Sequence, residues 1–541
     1  MLAEYLVHRL KELGVRHVFG VTGHSIFQIT DAIFREPGIE FVPTQSELAA
    51  AYMAEGYARA GRQLGVCLVS VGPGAANVLG GVAHALKEGT PLLVISSDVN
   101  TKVAGKPANW HEIGQQQMLA SVTKRSATLR APDDLPAELA AAIETAYASR
   151  GGPVFLGIPV DMLSPSPAAE GQGWREGAPA IAPDARSPRA TKLPESALDG
   201  AAAALKAAQA PVIIAGEGVY WSGAEAETLA LAEALQATFG TPYSQKGLLN
   251  ENHPLSLGVI GSGAAPYANQ FCLDSDLIIA LGVSFGEGLT LGYGHRVIPE
   301  GARILQIGGD ATGPYPLEIS MVADIGATIR SILERLPSGK RAVERVAKLA
   351  AAKAAWREEI ASYADSDGPI DYWSIQSALR EAIADDTIVV GAVTERMLQR
   401  FVATSKVFHT GDFRAIGHGL ATAMGVKFAC PARQVVCLSG DGSFMMELPE
   451  LATLARNRLP IPVLVVHNNA YGSMKHDQLR LFGGRFIGTD LHTPDFCQVA
   501  GPFGIATRRV DARADLANAI REVIALQEPA LLDIVCPVEG L

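Results

Sequence analysis

Apolar residues recur along this chain in two rhythms. Leu2, Tyr5, Leu6, Leu10 and Leu13 share one helical face, and the run from His17 to Val21 reads as a buried strand ending near Gly23. The alternation continues with a helix through Phe34, a strand at Ile39–Val42, a helix opening near Glu47, and strands at Val66–Val71 and Leu92–Ser96. Further along, Val212–Ala215, Leu277–Leu281 and Ile304–Ile307 read as strands, with a helix at Ala224–Ala237 among them. The last third shows a helix at Ile375–Ile383 and strands at Thr387–Val390, Lys406–Phe408, Val435–Leu438 and Val463–Val466. One helix is expected between the last two strands. Leu448, Leu451 and Ala455 would form its apolar face, with Glu447 and Glu450 near its positive end.

Strands and helices that alternate in this way, with glycine after the strands, predict α/β architecture with parallel sheets covered on both faces. Ser164–Lys192, rich in Pro, Ala, Gly and Ser, reads as a linker, and Lys340–Ala364 as a charged, alanine-rich helical connector. Three doubly wound domains follow, at 1–163, 190–338 and 365–541. The first and third share a strand-then-glycine order and suggest two copies of one architecture. The middle one shows no comparable constellation of polar residues.

Composition narrows the class. A chain of 541 residues with 48% apolar content supplies several cores. A net charge of −11 without a basic cluster argues against nucleic acid and anionic membranes, and no stretch is long enough to span a bilayer. The six cysteines form no CxxC, and the amphipathic N-terminus lacks the apolar stretch of a secretory signal, so a cytoplasmic protein is expected.

The chemistry gathers at two strand ends. Gly440-Asp441-Gly442-Ser443 and Asn468-Asn469-Ala470-Tyr471 follow the last two apolar runs, where ligands sit in open parallel sheets. Asp441 offers a carboxylate, Asn469 an amide oxygen and Tyr471 a main-chain carbonyl, an oxygen set that suits Mg²⁺. Glycine lets the backbone turn tightly beside a diphosphate. Asp-Gly is also ordinary turn punctuation. Asp441 and Asn469 lie 28 positions apart, and this resembles the GDG…NN thiamine-diphosphate signature of the acetolactate synthase and pyruvate decarboxylase superfamily.

The resemblance implies a pyrimidine-binding first domain, a central domain and a diphosphate-binding third domain, with thiamine diphosphate and Mg²⁺ as cofactors. Asp441, Asn469 and Tyr471 would hold the metal, and Gly440, Gly442, Ser443 and Met474 would line the cofactor. Glu47, in PTQSELAAAYMAEGYARA, matches the glutamate that bonds the aminopyrimidine nitrogen. An acidic residue in a first helical turn is also favoured for dipole reasons alone. SVGPGAANVLGGVAHAL is similar to the SGPGATN segment by the pyrimidine, with Gly72 and Asn77 as contacts, and Ile416 matches the bulky residue under the bent cofactor.

His24, after the Gly23 turn, and His111, in NWHEIGQQQ, are the remaining catalytic candidates, since proton shuttles near neutral pH are most often histidine. Ser25, Arg414, Lys475 and His476 are substrate candidates, Arg414 as a partner for a carboxylate.

Two segments depart from the family pattern. Met474, Lys475 and His476 stand where pyruvate decarboxylases have a glutamate. GVSFGEGLTLGYG replaces the arginine-bearing segment of flavin-binding acetolactate synthases, so FAD is not expected, although QKGLLNENHPLSLG is similar to another segment of those enzymes.

The implied activity is decarboxylation of a 2-oxo acid, with the enamine passed to a carbonyl acceptor or a proton. A lyase acting on 2-hydroxyacyl compounds or acyloins, and a cofactor-binding homologue without turnover, are the alternatives. Relatives pair the first domain of one subunit with the third of another, so a homodimer or homotetramer with shared sites is expected.

Overall fold

The computed structural model describes residues 2–148, 150–163, 193–309, 313–336, 343–364, 368–392 and 401–538. The expected linker at Ser164–Lys192 lies outside them, as does the start of the connector, whose helix runs Val343–Ala364. Three six-stranded sheets organise the described residues, and every strand pair in them is parallel.

The first sheet contains β1 (His17–Gly20), β2 (Glu40–Pro43), β3 (Gly65–Val69), β4 (Leu92–Asp98), β5 (Arg125–Thr128) and β6 (Pro153–Pro159), in the order β2-β1-β3-β4-β6-β5. The second contains β7 (Pro211–Ala215), β8 (Thr238–Pro242), β9 (Ser256–Ile260), β10 (Leu277–Leu281), β11 (Ile304–Ile307) and β12 (Ile319–Met321), in the order β12-β11-β10-β7-β8-β9. The third contains β13 (Ile388–Ala392), β14 (Val407–His409), β15 (Val435–Gly440), β16 (Pro462–His467), β17 (Ala506–Val510) and β18 (Ala530–Val535), in the order β14-β13-β15-β16-β18-β17. Counted from its own first strand, the third sheet repeats the order of the first. The middle sheet instead winds outward from its first strand in both directions, as dinucleotide-binding sheets do.

Both faces of the first sheet are dry. Leu68, Leu93, Ile95, Val154 and Leu156 face one core, and the alternate residues Cys67, Val94 and Phe155 are equally buried. That double burial is why these strands read as continuous apolar runs.

The chain forms two compact units, one of 1–186 with 413–433 and 447–461, the other of 187–412, 434–446 and 462–541. In the first unit the alanine-rich helix Glu47–Gly61 packs on the helix Gly419–Ala429 with backbones in contact. A Cβ on Gly56 would stand 2.5 Å from the Thr422 carbonyl oxygen, and one on Gly425 2.0 Å from that of Met53. In the second unit Tyr243 and Val259 share a core with Val389, Phe401 and Val436. No helix among the described residues is long and apolar enough to cross a membrane.

Two expectations change. The single helix between β15 and β16 is three short pieces, Asp441–Phe444, a 3₁₀ turn at Leu448–Glu450, and Leu451–Arg456. Pro449 has no N–H to carry a helical ladder through that point. Leu451 and Leu454 are buried while Leu448 and Ala455 are only half-buried, so of the expected apolar face only Leu451 is fully buried. The middle domain also has a polar centre of its own. Lys246 and Glu251 form a buried ion pair at 3.0 Å, Glu251 accepts from the Ala403 N–H at 2.8 Å, and both line a small recess with Lys353, Trp356 and Tyr267.

Candidate functional site

In the first unit, Ser46 caps the helix that carries Glu47, its hydroxyl oxygen accepting from the Ala49 N–H at 3.1 Å. The half-buried Glu47 accepts at Oε2 from the Asn77 amide at 3.1 Å, so Asn77 holds the carboxylate in place. The loop ahead of Glu47 is anchored from a distant segment. Glu450 Oε1 accepts from the backbone N–H groups of Gln45 at 3.0 Å and Ser46 at 3.1 Å, while its Oε2 accepts from the Thr453 hydroxyl at 2.7 Å. Burial pushes the Glu450 carboxyl up, and these bonds pull it back. Glu447 accepts from Ala421 N at 2.9 Å and Leu420 N at 3.2 Å, in the first turn of the helix Gly419–Ala429, and burial pushes its carboxyl up to about 7. These two glutamates, expected to act on a helix dipole of their own, are instead buried acceptors for other segments.

Around Glu47, Gly72 has φ 73°, and a Cβ there would lie 2.4 Å from the His111 carbonyl oxygen. Its N–H donates to the buried Gln115 at 3.2 Å, and Gln115 donates to the Ser97 carbonyl at 2.8 Å. Ser25 accepts from the Ser97 hydroxyl at 2.5 Å and from Val71 N at 3.3 Å. His24, His111 and Arg414 are exposed, the last two at φ 64° and 56°. Ile416 is 47% exposed, which removes a core role for it.

In the second unit, the register that pairs Gly440 with Val466 sets Asp441 beside the residues after β16. The carboxylate is 1% exposed and locked by backbone. Oδ1 accepts from Gly442 N at 2.8 Å, and Oδ2 from Asn468 N at 3.0 Å and Asn469 N at 2.6 Å. Burial pushes this carboxyl up, and the three donors oppose the shift. Asn469 takes a left-handed φ of 55°, a conformation asparagine tolerates better than most residues. The Tyr471 carbonyl accepts from Lys475 N at 2.9 Å, opening the helix Gly472–Phe482.

The two glycines of the turn differ in what demands them. A Cβ on Gly442 would meet the Tyr471 ring at 2.5 Å. Gly440 has an ordinary φ of −73°, and among the described residues nothing lies within 4 Å of a Cβ placed there. Its missing side chain leaves space beside Asp441 that no described residue fills. A separate cluster, Asp495, Cys497 and Asp533, has ligand-like spacing, but Arg509 already pairs with both carboxylates, at 3.3 Å from Asp495 and 3.1 Å from Asp533.

Comparison with known proteins bears on both halves. Residues 1–122 match the thiamine pyrophosphate enzyme N-terminal TPP binding domain, 198–332 the central domain and 390–534 the C-terminal TPP binding domain. Acetolactate synthase isozyme 1 large subunit of Escherichia coli (strain K12) is 29% identical over 98% of this chain and 93% of its own length. The mitochondrial acetolactate synthase of Schizosaccharomyces pombe is 30% identical over 96% and 81%. Sulfoacetaldehyde acetyltransferase of Rhodobacter capsulatus is 30% identical over 97% and 92%. The chain belongs to the thiamine pyrophosphate enzyme family.

The residues present fit the cofactor of a thiamine pyrophosphate enzyme. Asp441 supplies a fixed, buried carboxylate, Gly440 an open approach, and Glu47 a carboxylate at a helix start. Such an enzyme carries out carboligase or decarboxylase chemistry. Two of the sequence candidates are engaged within the protein, Ser25 with Ser97 and Lys475 with Asp490 beneath the Phe486 ring. Met474 is 54% exposed and His476 half-buried. Sequence reasoning missed Gln115, and it missed the anchoring role of Glu450. A glutamine in a QQQ run carries no signal of burial. A glutamate after Pro449 signals only that a helix is interrupted.

Proposed function

We propose that this protein is a thiamine-diphosphate- and Mg²⁺-dependent enzyme that decarboxylates a 2-oxo acid and transfers the remaining unit to a carbonyl acceptor or a proton. Asp441, the amide oxygen of Asn469 and the carbonyl of Tyr471 hold the cation, and Gly440, Gly442 and Ser443 lie along the diphosphate. Gly72, Asn77, Ile416 and Met474 contact the rings. The bound cofactor supplies the electron sink for breaking a bond next to a carbonyl. Glu47 holds and moves a proton at its carboxylate, in the orientation Asn77 imposes. His24 and His111 stand as exposed proton shuttles, and Ser25, Arg414, Lys475 and His476 face substrate.

The observation that carries this reading is the pair Gly440 and Asp441. A buried carboxylate fixed by three backbone donors stands beside a glycine whose conformation and surroundings require no glycine. A ligand explains both. The central domain is proposed to hold no functional flavin, because GVSFGEGLTLGYG lacks an arginine. Two subunits are proposed to pair about a two-fold axis.

The test is a donor screen of 2-oxo acids and acyloins, with thiamine diphosphate and Mg²⁺ present and all products read by mass spectrometry. Sulfoacetaldehyde belongs among the acceptors because of the Rhodobacter capsulatus relative. Consumption of a 2-oxo acid with release of CO₂ is the expected result. Cleavage of acyloins alone would make the protein a lyase, and tight cofactor binding with no turnover of any donor would make it a non-catalytic homologue.

A further inference from the structure

Asn469 is held by a chain of side chains that starts on the neighbouring strand, β18. Its Oδ1 lies 2.6 Å from the Thr493 hydroxyl and 3.4 Å from the Thr493 N–H. Thr493 Oγ1 is also 2.7 Å from Nε2 of His467, the last residue of β16. On the other side of the ring, Nδ1 lies 2.8 Å from Oδ1 of Asp533, a fully buried residue in β18. Arg509 donates to Asp533 Oδ2 at 3.1 Å, and the His467 ring packs on Phe496 with centroids 4.9 Å apart.

A backbone N–H only donates, so the amide atom facing Thr493 is the oxygen of Asn469 rather than its nitrogen. The threonine hydroxyl has a single proton, and it goes to that oxygen. On its other side the hydroxyl oxygen meets Nε2 of His467. Held by both groups of Thr493, the side chain is prevented from flipping, and its oxygen stays in one place.

We infer that Asp533, His467 and Thr493 form a positioning relay that orients the Asn469 amide oxygen toward a divalent cation, so that Mg²⁺ affinity depends on residues that never touch the ion. The inference rests on the proposed metal role of Asp441 and Asn469. Outer partners of metal ligands typically change affinity by roughly 10–100-fold when removed.

The experiment is a calorimetric Mg²⁺ titration of the full chain in saturating thiamine diphosphate, with the melting midpoint of each variant measured without metal or cofactor. Thr493→Val, or Thr493→Ala if valine disturbs the fold, should weaken Mg²⁺ by roughly 10–100-fold. Its melting midpoint should stay within about 2 °C of the parent. Thr493→Ser, which keeps the hydroxyl, should restore affinity to within about threefold. His467→Phe preserves the ring packing and should weaken Mg²⁺ like Thr493→Val, with the double variant no worse than either, as links in one chain behave. Parent-like affinity in Thr493→Val, while Asp441→Ala loses Mg²⁺, overturns the relay alone. Parent-like affinity in Asp441→Ala overturns the metal reading on which it stands.

Discussion

Glu447 is a carboxyl enclosed by protein and aimed at two backbone N–H groups, Leu420 and Ala421. Burial pushes it up to about 7 from an ordinary value of 4.5. Because the folded state holds this proton more tightly than the unfolded one, the contribution is fully present below about 4.5 and is lost as pH rises toward about 7. Relative to Glu447→Gln, the native protein should lose on the order of 3 kcal/mol of stability across that window. Urea midpoints of both proteins at several pH values between 5 and 8 check this, and parallel profiles would rule it out. Residues of this kind were the least legible in the sequence. Asp441 and Asn469 announce themselves because they follow apolar strands directly. Glu447, Glu450, Thr493 and His467 do their work through partners far away in the chain, and a polar residue in a loop carries no sign of which distant N–H or hydroxyl it will meet. Ile416, read as a cofactor contact, is half in solvent.

At the scale of elements, periodicity located many of the buried strands and passed over others whose residues break the apolar run. β10 is an unbroken apolar run, whereas β17 mixes Thr507, Arg508 and Arg509 into an edge strand, and the fully buried β6 is bounded by proline at both ends. The repetition of one strand order in the first and third sheets was visible only as similar lengths and glycine placement. Contact between the helices Glu47–Gly61 and Gly419–Ala429 was hidden as well, although its cause is written in small residues. Gly425 sits 2.0 Å, as a hypothetical Cβ, from the Met53 carbonyl oxygen. Gly425→Ala should therefore force the helices apart and destabilise the protein by about 1–3 kcal/mol or more. Gly440→Ala, facing open space, should leave stability unchanged and weaken cofactor binding. Thermal melts of the two apo variants, side by side, separate a glycine kept for packing from one kept for a ligand. Equal destabilisation would mean that Gly440 too is structural.

For the molecule as a whole, Glu47 and Asp441 belong to different compact units of the chain. If paired subunits share their sites, Glu47→Gln dimers mixed with Asp441→Ala dimers under subunit exchange form heterodimers in which one site carries both changes and the other neither. About one quarter of parent function should return at random exchange, and none should return if each site is built within one chain. Proton exchange at C2 of the thiazolium provides a readout that needs no knowledge of the substrate. The most direct measurement is that exchange rate in D₂O, followed by NMR after acid quench, for the parent and for Glu47→Gln with thiamine diphosphate and Mg²⁺ bound. The account predicts that Glu47→Gln binds the cofactor, yet exchanges the C2 proton orders of magnitude more slowly than the parent. Exchange at the parent rate in the bound variant would contradict the role assigned to Glu47.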